Sequence, residues 1–350
     1  MKKTFKLMVI LIALSLLSFL FLLGCETEED YELVQDSKFA LGTYNQITLY
    51  APESNAEQVI ADVFQRVEEI ENLMSVNIEG SDIDTLNKNA GEASVPVDPE
   101  TFRMLQLGKE YHDLTNGTFN IGIGALIDLW DIGGENQQVP QASEIEDLLN
   151  HVDLEQLTLD SENLEAKIED PAMKVDLGGI AKGYAVDEAI RVIEENGYEN
   201  AIVDFGGDVY VLGENPEGNP WRIGISTPEI GASGVLGRLF SADMSVVSSG
   251  DYERYFIEDG NLYHHILDPA TGSPTDNELS SVTVVSDTAL EGDILSTAIF
   301  VMGLEEGLNF VNNLPEVDAV LVTNEKDVYV TEGISDIFEI MDDDFTIVIE

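Results

Sequence analysis

Residues Asp176 to Asp187 read Asp-Leu-Gly-Gly-Ile-Ala-Lys-Gly-Tyr-Ala-Val-Asp: a strand end, a glycine turn, and a helix opening with a lysine in its first turns. The segment commits this part of the chain to a strand laid beside a helix. Lys174–Leu177 reads as the strand, and Gly179–Glu195 as a helix ended by Gly197. Such a junction points backbone N–H groups and a positive dipole end at one spot, where an anion can sit. Asp176 stands on one side of the turn and Lys182 on the other. Two readings stay open here: an anion site, or an ordinary strand–helix turn whose glycines only permit close packing.

The N-terminus sets the compartment. Lys2, Lys3 and Lys6 precede a nearly unbroken apolar run from Leu7 to Leu23, the order of an export signal. An uncleaved anchor is the alternative, since the run is close to the length that spans a bilayer. Gly24-Cys25 decides against it, because a small residue and then the chain's only cysteine resembles a bacterial lipobox. Residues 1–25 are thus expected to be a lipoprotein signal peptide, with Cys25 lipidated and the mature protein extracytoplasmic, lipid-anchored to the bacterial cell membrane. Residues 26–36 are acidic and read as a tether, leaving 37–350 as the folded domain. A single cysteine excludes an intrachain disulfide and any Cys-rich zinc site.

Carboxylates number 68 against 16 basic side chains, a formal charge of −52. Nucleic acid is excluded as a partner by that field. One physical reading of the charge is a saline medium, where counter-ions screen self-repulsion. The apolar content of 44% is that of a globular chain.

Elsewhere, Ala56–Met74 carries Ile60, Val63, Phe64, Val67, Ile70 and Met74 at helical spacing. Asp98-Pro99-Glu100 supplies an N-cap, a proline at the first helical position and an acid in the first turn, which predicts a helix to Leu114. Phe39–Tyr50, Ala201–Leu212, Trp221–Ser226, Val235–Phe240 and Ser281–Val285 read as strands, and Thr288–Met302 as a helix. The alternation, with meander-like runs, argues a mixed α/β (α+β) architecture with mixed sheets and packed helices.

Three further groups carry chemistry. Asp293, Ser296 and Thr297 stand at i, i+3 and i+4 of a helix, a hard oxygen set that suits Mg²⁺; the alternative is hydroxyls bonded back to their own helix. His264 and His265 are adjacent, so on a strand they point to opposite faces and differ in role. Either one faces a site, or the pair belongs to a hairpin with a structural histidine. Asp204-Phe205-Gly206-Gly207-Asp208 reads as an anion nest or a plain bulge. Arg254, in Ser248–Tyr255, reads as a solvated strand residue.

In this order the segments resemble the ApbE-type flavin transferases (FAD:protein FMN transferases). The matching stretches are Leu41-Gly42-Thr43, Ser81 with Asn87, Gly117–Asn120, Leu126–Trp130, Asp176–Asp187, Gly206–Asp208, Ser249–Tyr255, His264–Pro274 and Asp293–Thr297. The resemblance implies an ApbE-like, T-fold-related architecture and a Mg²⁺-dependent reaction. In it FMN moves from FAD to a threonine or serine hydroxyl of an exported acceptor protein, with release of AMP. It implies FAD contacts at Leu41, Thr118, Phe119, Asn120, Asp176, Lys182 and Ile266. It implies Mg²⁺ at Asp293, Thr297, Ser296 and the carbonyl of Gly179, with His265 assisting deprotonation of the acceptor and Lys182 as the protein's own cation. Leu41 stands where a methionine is usual, and Asn120 where an aspartate is common. The acceptor motif implied is Asp-x-x-Ser/Thr-Gly/Ala-Ala/Ser-Thr. The rival expectations are a FAD pyrophosphatase, with water in place of the acceptor, and a non-catalytic flavin-binding lipoprotein.

Overall fold

The computed structural model describes residues 31–52 and 55–348. The apolar run, Cys25 and the first residues of the expected tether lie outside them. Nine strands form the main sheet, and their order in space is their order in the chain. They are β1 (Tyr31–Ala40), β2 (Thr43–Pro52), β3 (Ala201–Phe205), β4 (Asp208–Leu212), β5 (Met244–Gly250), β6 (Leu279–Ser286), β7 (Asp318–Thr323), β8 (Asp327–Val330) and β9 (Thr346–Val348). Every neighbouring pair is antiparallel except β8 with β9. The helices are excursions from this meander: α1 (Ala56–Met74), α2 (Ala181–Glu195) and α3 (Ala289–Met302) pack in sequence on one face. The mixed α/β reading holds.

Burial explains the patterns. In α1, Val59, Ile60, Val63, Phe64, Val67 and Ile70 are buried, one apolar stripe of a 3.6-residue period. Each such side chain gains roughly 1.5–3 kcal/mol by leaving water. Every residue of β6 is buried. Val282 and Val284 meet Leu295 and Ile299 of α3, while Val285 joins Trp221 and Ile223 from a three-stranded sheet on the other face. A strand covered on both faces reads as a continuous apolar run, as Ser281–Val285 does.

Several sequence expectations change. Phe39–Tyr50, read as one strand, turns back at Leu41-Gly42 and is divided between β1 and β2. Tyr31–Asp36, expected as tether, is the outer part of β1, paired residue by residue with Ile47–Pro52. Lys174–Leu177 is extended but is not a strand of any sheet. Its polar groups go elsewhere: Val175 N–H donates to Asn87 Oδ1 at 2.8 Å, Asn87 Nδ2 donates to Val175 O at 2.8 Å, and Asp176 N–H donates to Ile121 O at 2.8 Å. A side-chain amide thus serves one edge, and a single parallel bridge between Lys174 and Ile123, with Gly124 N–H donating to Lys174 O at 3.0 Å, serves the other. The helix after it starts at Ala181 rather than Gly179, because Leu177–Ile180 closes a turn first, with Ile180 N–H bonded to Leu177 O at 2.9 Å.

Candidate active site

The glycine turn opens onto a cavity of about 1080 Å³. Its wall draws on the β1–β2 turn, Thr118–Ile121, Asp176–Gly179, Lys182, the segment after β5, His265–Leu267, and Asp293 with Thr297 of α3. Of the residues picked from the sequence, Leu41, Thr118, Phe119, Asn120, Asp176, Gly179, Lys182, His265, Ile266, Asp293 and Thr297 all line it.

Two helices are pinned together beneath this wall. The N–H of Gly183 in α2 donates to Asp293 Oδ2 at 3.0 Å. A Cβ on Gly183 would stand 2.4 Å from Ala289 O, so only glycine allows that approach. Asp187, one turn on, accepts from the N–H groups of Ala289 and Leu290 at 2.7 and 3.0 Å, capping α3 with both carboxylate oxygens. Burial pushes the Asp187 carboxyl up to about 6, against the pull of those two N–H groups.

Lys182 is the centre of the charge arrangement. Its ammonium pairs with the fully buried Asp208 and lies 3.8 Å from Asp293 Oδ1. Burial alone would lower its pKa, but Asp208 and Asp293 carry it upward, so it stays charged. Burial and then Asp293 raise Asp208. Lys182, expected as the protein's own cation at the site, is there, but two carboxyl groups stand against its ammonium.

The adjacent histidines do differ in role, but the strand ends at His264 and His265 stands in the bend after it. His264 is buried, its Nε2 2.8 Å from Thr275 O and its ring edge-on to Phe300. His265 faces the cavity, and its Nδ1 is buried with no partner. Burial, with Arg254 next, pulls the His265 imidazole down to about 3, so it is neutral at ordinary pH. Asp176 accepts from Gly178 N–H at 2.6 Å, and burial raises its pKa.

Other placements differ from expectation. Ser296 does not line the cavity: it is wholly buried, 2.9 Å from Ser249 Oγ on β5, because i+3 from Asp293 points sideways into the sheet. Ser249 also lies 3.4 Å from Thr297 Oγ1. The side-chain amide of Asn120 is engaged by protein, donating to Val152 O at 2.9 Å and accepting from Gly122 N–H at 2.7 Å. Gly206-Gly207 is neither nest nor bulge but the two-residue turn of the β3–β4 hairpin, both glycines at positive φ. Its N–H groups are taken by Tyr44 O and Asp204 Oδ1.

Sequence reasoning missed several wall residues. Met74–Ile78 and Ile223–Ser226 carry no local signal for a site. Glu253 opens onto the cavity while the surrounding protein pushes its carboxyl up to about 7. For a cation, the wall offers the Asp293 carboxylate, the Thr297 hydroxyl and Gly179. Among the described residues no group of three or more His, Cys, Asp or Glu side chains stands ready for a metal. The available set is one carboxylate with neutral oxygens, which fits Mg²⁺ completed by water and phosphate oxygens.

The profile of the ApbE family matches residues 41–321. The chain is 38% identical over 275 residues to a FAD:protein FMN transferase of Klebsiella pneumoniae, covering 79% of this chain and 85% of that one. It is 29% identical over 326 residues to one of Treponema pallidum, covering 89% and 90%. Among solved structures it is similar to the ApbE protein of Thermotoga maritima, with TM-score 0.80, 33% identity, and coverage of 86% of this chain and 98% of that one. The flavin transferase ApbE from Vibrio cholerae gives TM-score 0.79 and 27% identity over 88% of this chain and 99% of that one.

Proposed function

The chain belongs to the ApbE family and is a flavin transferase, and from that premise we propose a Mg²⁺-dependent transfer of FMN from FAD to a threonine or serine hydroxyl of an exported acceptor protein, releasing AMP. The observation that carries this reading is the convergence of Asp176, Lys182, His265, Asp293 and Thr297, scattered along the chain, on one cavity wide enough for a dinucleotide.

The acceptor oxygen would attack the FMN phosphorus. The bond from that phosphorus to the bridging oxygen breaks, and its electron pair leaves with AMP. The hydroxyl proton would go to His265, which faces the cavity; bound phosphate charge, offsetting the burial and the Arg254 charge that depress the imidazole, would restore its basicity. Asp293 and Thr297, with the carbonyl of Gly179, would hold Mg²⁺. When bound, the ion supplies neutralisation of charge on the pyrophosphate oxygens. Gly183 N–H and Lys182 orient the Asp293 carboxylate for that task. Leu41, Phe119 and Ile266 offer apolar surface to the flavin ring, and Asp176 a hydrogen-bond acceptor. The N-terminal run ending in Gly24-Cys25 supports lipid anchoring through Cys25 outside the cytoplasm.

Incubation with FAD, Mg²⁺ and a peptide carrying the Asp-x-x-Ser/Thr-Gly/Ala-Ala/Ser-Thr motif tests the reading. Mass gain of one FMN on the peptide, with one AMP released, is expected. Free FMN and AMP without peptide modification would make the protein a FAD pyrophosphatase, and neither product would leave a flavin binder. For the anchor, labelled palmitate should appear on the full chain and be absent from Cys25→Ser.

A further inference from the structure

Two cationic side chains line the cavity, Lys182 and Arg254, amid a protein of formal charge −52. The charge of Lys182 is answered by Asp208 and Asp293. Arg254 differs: among the described residues no carboxylate lies within ion-pair distance of it. The hydrogen bond its guanidinium makes there is a long one, Nη2 donating to the carbonyl of Gly42 at 3.4 Å. That contact joins two parts of the cavity wall, the segment after β5 and the β1–β2 turn. Its backbone is stitched to the site as well, since His265 N–H donates to Arg254 O at 3.0 Å. A guanidinium with no ion pair, sharing the cavity with the Glu253 carboxyl and tethered to a neutral carbonyl by one weak bond, is poised to exchange that bond for a stronger one.

We propose that Arg254 is a substrate-binding residue, leaving the Gly42 carbonyl to grip phosphoryl oxygens of the FAD pyrophosphate. The inference rests on FAD being the substrate and assigns to Arg254 the anion-binding role that Lys182 cannot fill while paired. A planar guanidinium matches phosphate oxygens in a two-pronged fashion and stays charged throughout. A phosphate at that position would have local positive charge to set against the global field, as a dianionic ligand of so acidic a protein requires. The negative charge building on the departing AMP would fall to the same group.

The test compares unmodified protein with Arg254→Gln and Arg254→Lys, measuring the Kd of FAD by flavin fluorescence at several KCl concentrations. Arg254→Gln is expected to bind FAD at least tenfold more weakly at low salt, with Arg254→Lys between. Added KCl should improve binding to Arg254→Gln more steeply than to unmodified protein, since screening then relieves repulsion alone. An unchanged Kd overturns the inference, and so does a loss whose salt dependence matches that of unmodified protein, which would mean a structural role at Gly42. If unmodified protein binds no FAD at all, the substrate reading itself fails.

Discussion

Lys182 and Asp208 form an ion pair in which the carboxylate is completely enclosed and its second oxygen, Oδ2, meets no donor. The pair reaches from the first turn of α2 to the first residue of β4, so it ties the helix side of the cavity to the sheet. Removing Lys182 leaves the enclosed Asp208 carboxyl without its cation, at a cost of about 3–5 kcal/mol. Lys182→Met should lose stability on that scale, Asp208→Ala less because Asp293 Oδ1 stays 3.8 Å from the ammonium, and the double variant less than their sum. Urea unfolding measures it; single variants within about 1 kcal/mol of unmodified protein would show that water already reaches the pair.

Gly183 sits where α2 crosses α3. A methyl there would meet Ala289 O at 2.4 Å and the Cα of Leu290 at 2.7 Å, both backbone atoms that cannot swing aside. Gly183→Ala must push the helices apart, at about 1–3 kcal/mol. The displacement also pulls Gly183 N–H from Asp293 Oδ2, so FMN transfer should fall further than the stability loss alone explains. Melting temperature and transfer rate, measured on one preparation, check both halves. A variant with normal activity would mean the helix contact does not position Asp293.

Asp187 gives a pH signature. Its folded carboxyl titrates near 6, above the ordinary 3.8, because burial outweighs its two N–H bonds. A carboxyl whose folded pKa is raised holds its proton longer in the native state. Its contribution to stability therefore declines as pH rises from about 4 to 6, by up to roughly 3 kcal/mol. Asp187→Asn cannot titrate. Subtracting its urea-derived stability from that of unmodified protein should expose this decline, and a flat difference between pH 4 and 6 contradicts it. Subtraction removes Asp251 and Glu253, which burial raises to about 6 and 7 and which titrate in both proteins.

Neighbours on one helix face need not share a task. Thr297 lines the cavity, and Ser296 turns into the sheet against Ser249. Asp293→Ala should cut Mg²⁺-supported transfer by on the order of a thousandfold, since the ion would lose its one carboxylate. Ser296→Ala should leave the Mg²⁺ concentration for half-maximal transfer within about threefold, the hydroxyl acting only through packing. A tenfold shift in that midpoint for Ser296→Ala would restore Ser296 as a ligand.

That pair shows where the sequence stops being readable. Period 3.6 puts 293, 296 and 297 on one face, but only the sheet beneath decides which of the three meets the cavity. The helix α1 was legible because its own apolar stripe specifies it, and Pro99–Leu114 because its Asp98 cap and Pro99 are local chemistry. Lys174–Leu177 was not, since it holds only a single bridge to Ile123 on one edge and the side chain of Asn87, from a distant helix, on the other. Arg254 reads as a solvated residue because its freedom depends on the carboxylates being elsewhere, a fact of tertiary placement. The histidines were half legible: alternation predicts different faces, and packing against Phe300 selects His264 as the structural one.

The charge of −52 makes salt a direct lever on folding. Two effects oppose each other as KCl rises. Exposed pairs such as Lys38–Glu68 and Arg103–Glu110 weaken, but such pairs contribute little even in dilute buffer. Repulsion among the excess carboxylates, including the exposed Asp343 and Asp344, weakens too, and it acts over the whole surface. The Debye length shrinks from about 10 Å at 0.1 M to about 3 Å at 1 M, below the spacing of most surface charges. Relief of repulsion therefore wins, and the urea midpoint should rise between 0.1 and 1 M KCl. NaCl should act equally, because screening depends on ionic strength rather than on the cation. Asp208 is enclosed and the Lys182 side chain only 21% exposed, so the pair is screened less than surface charges and Asp208→Ala should lower the midpoint by a similar step at both salt concentrations. A midpoint that stays flat or falls with KCl would mean that ion pairing, not self-repulsion, governs this surface.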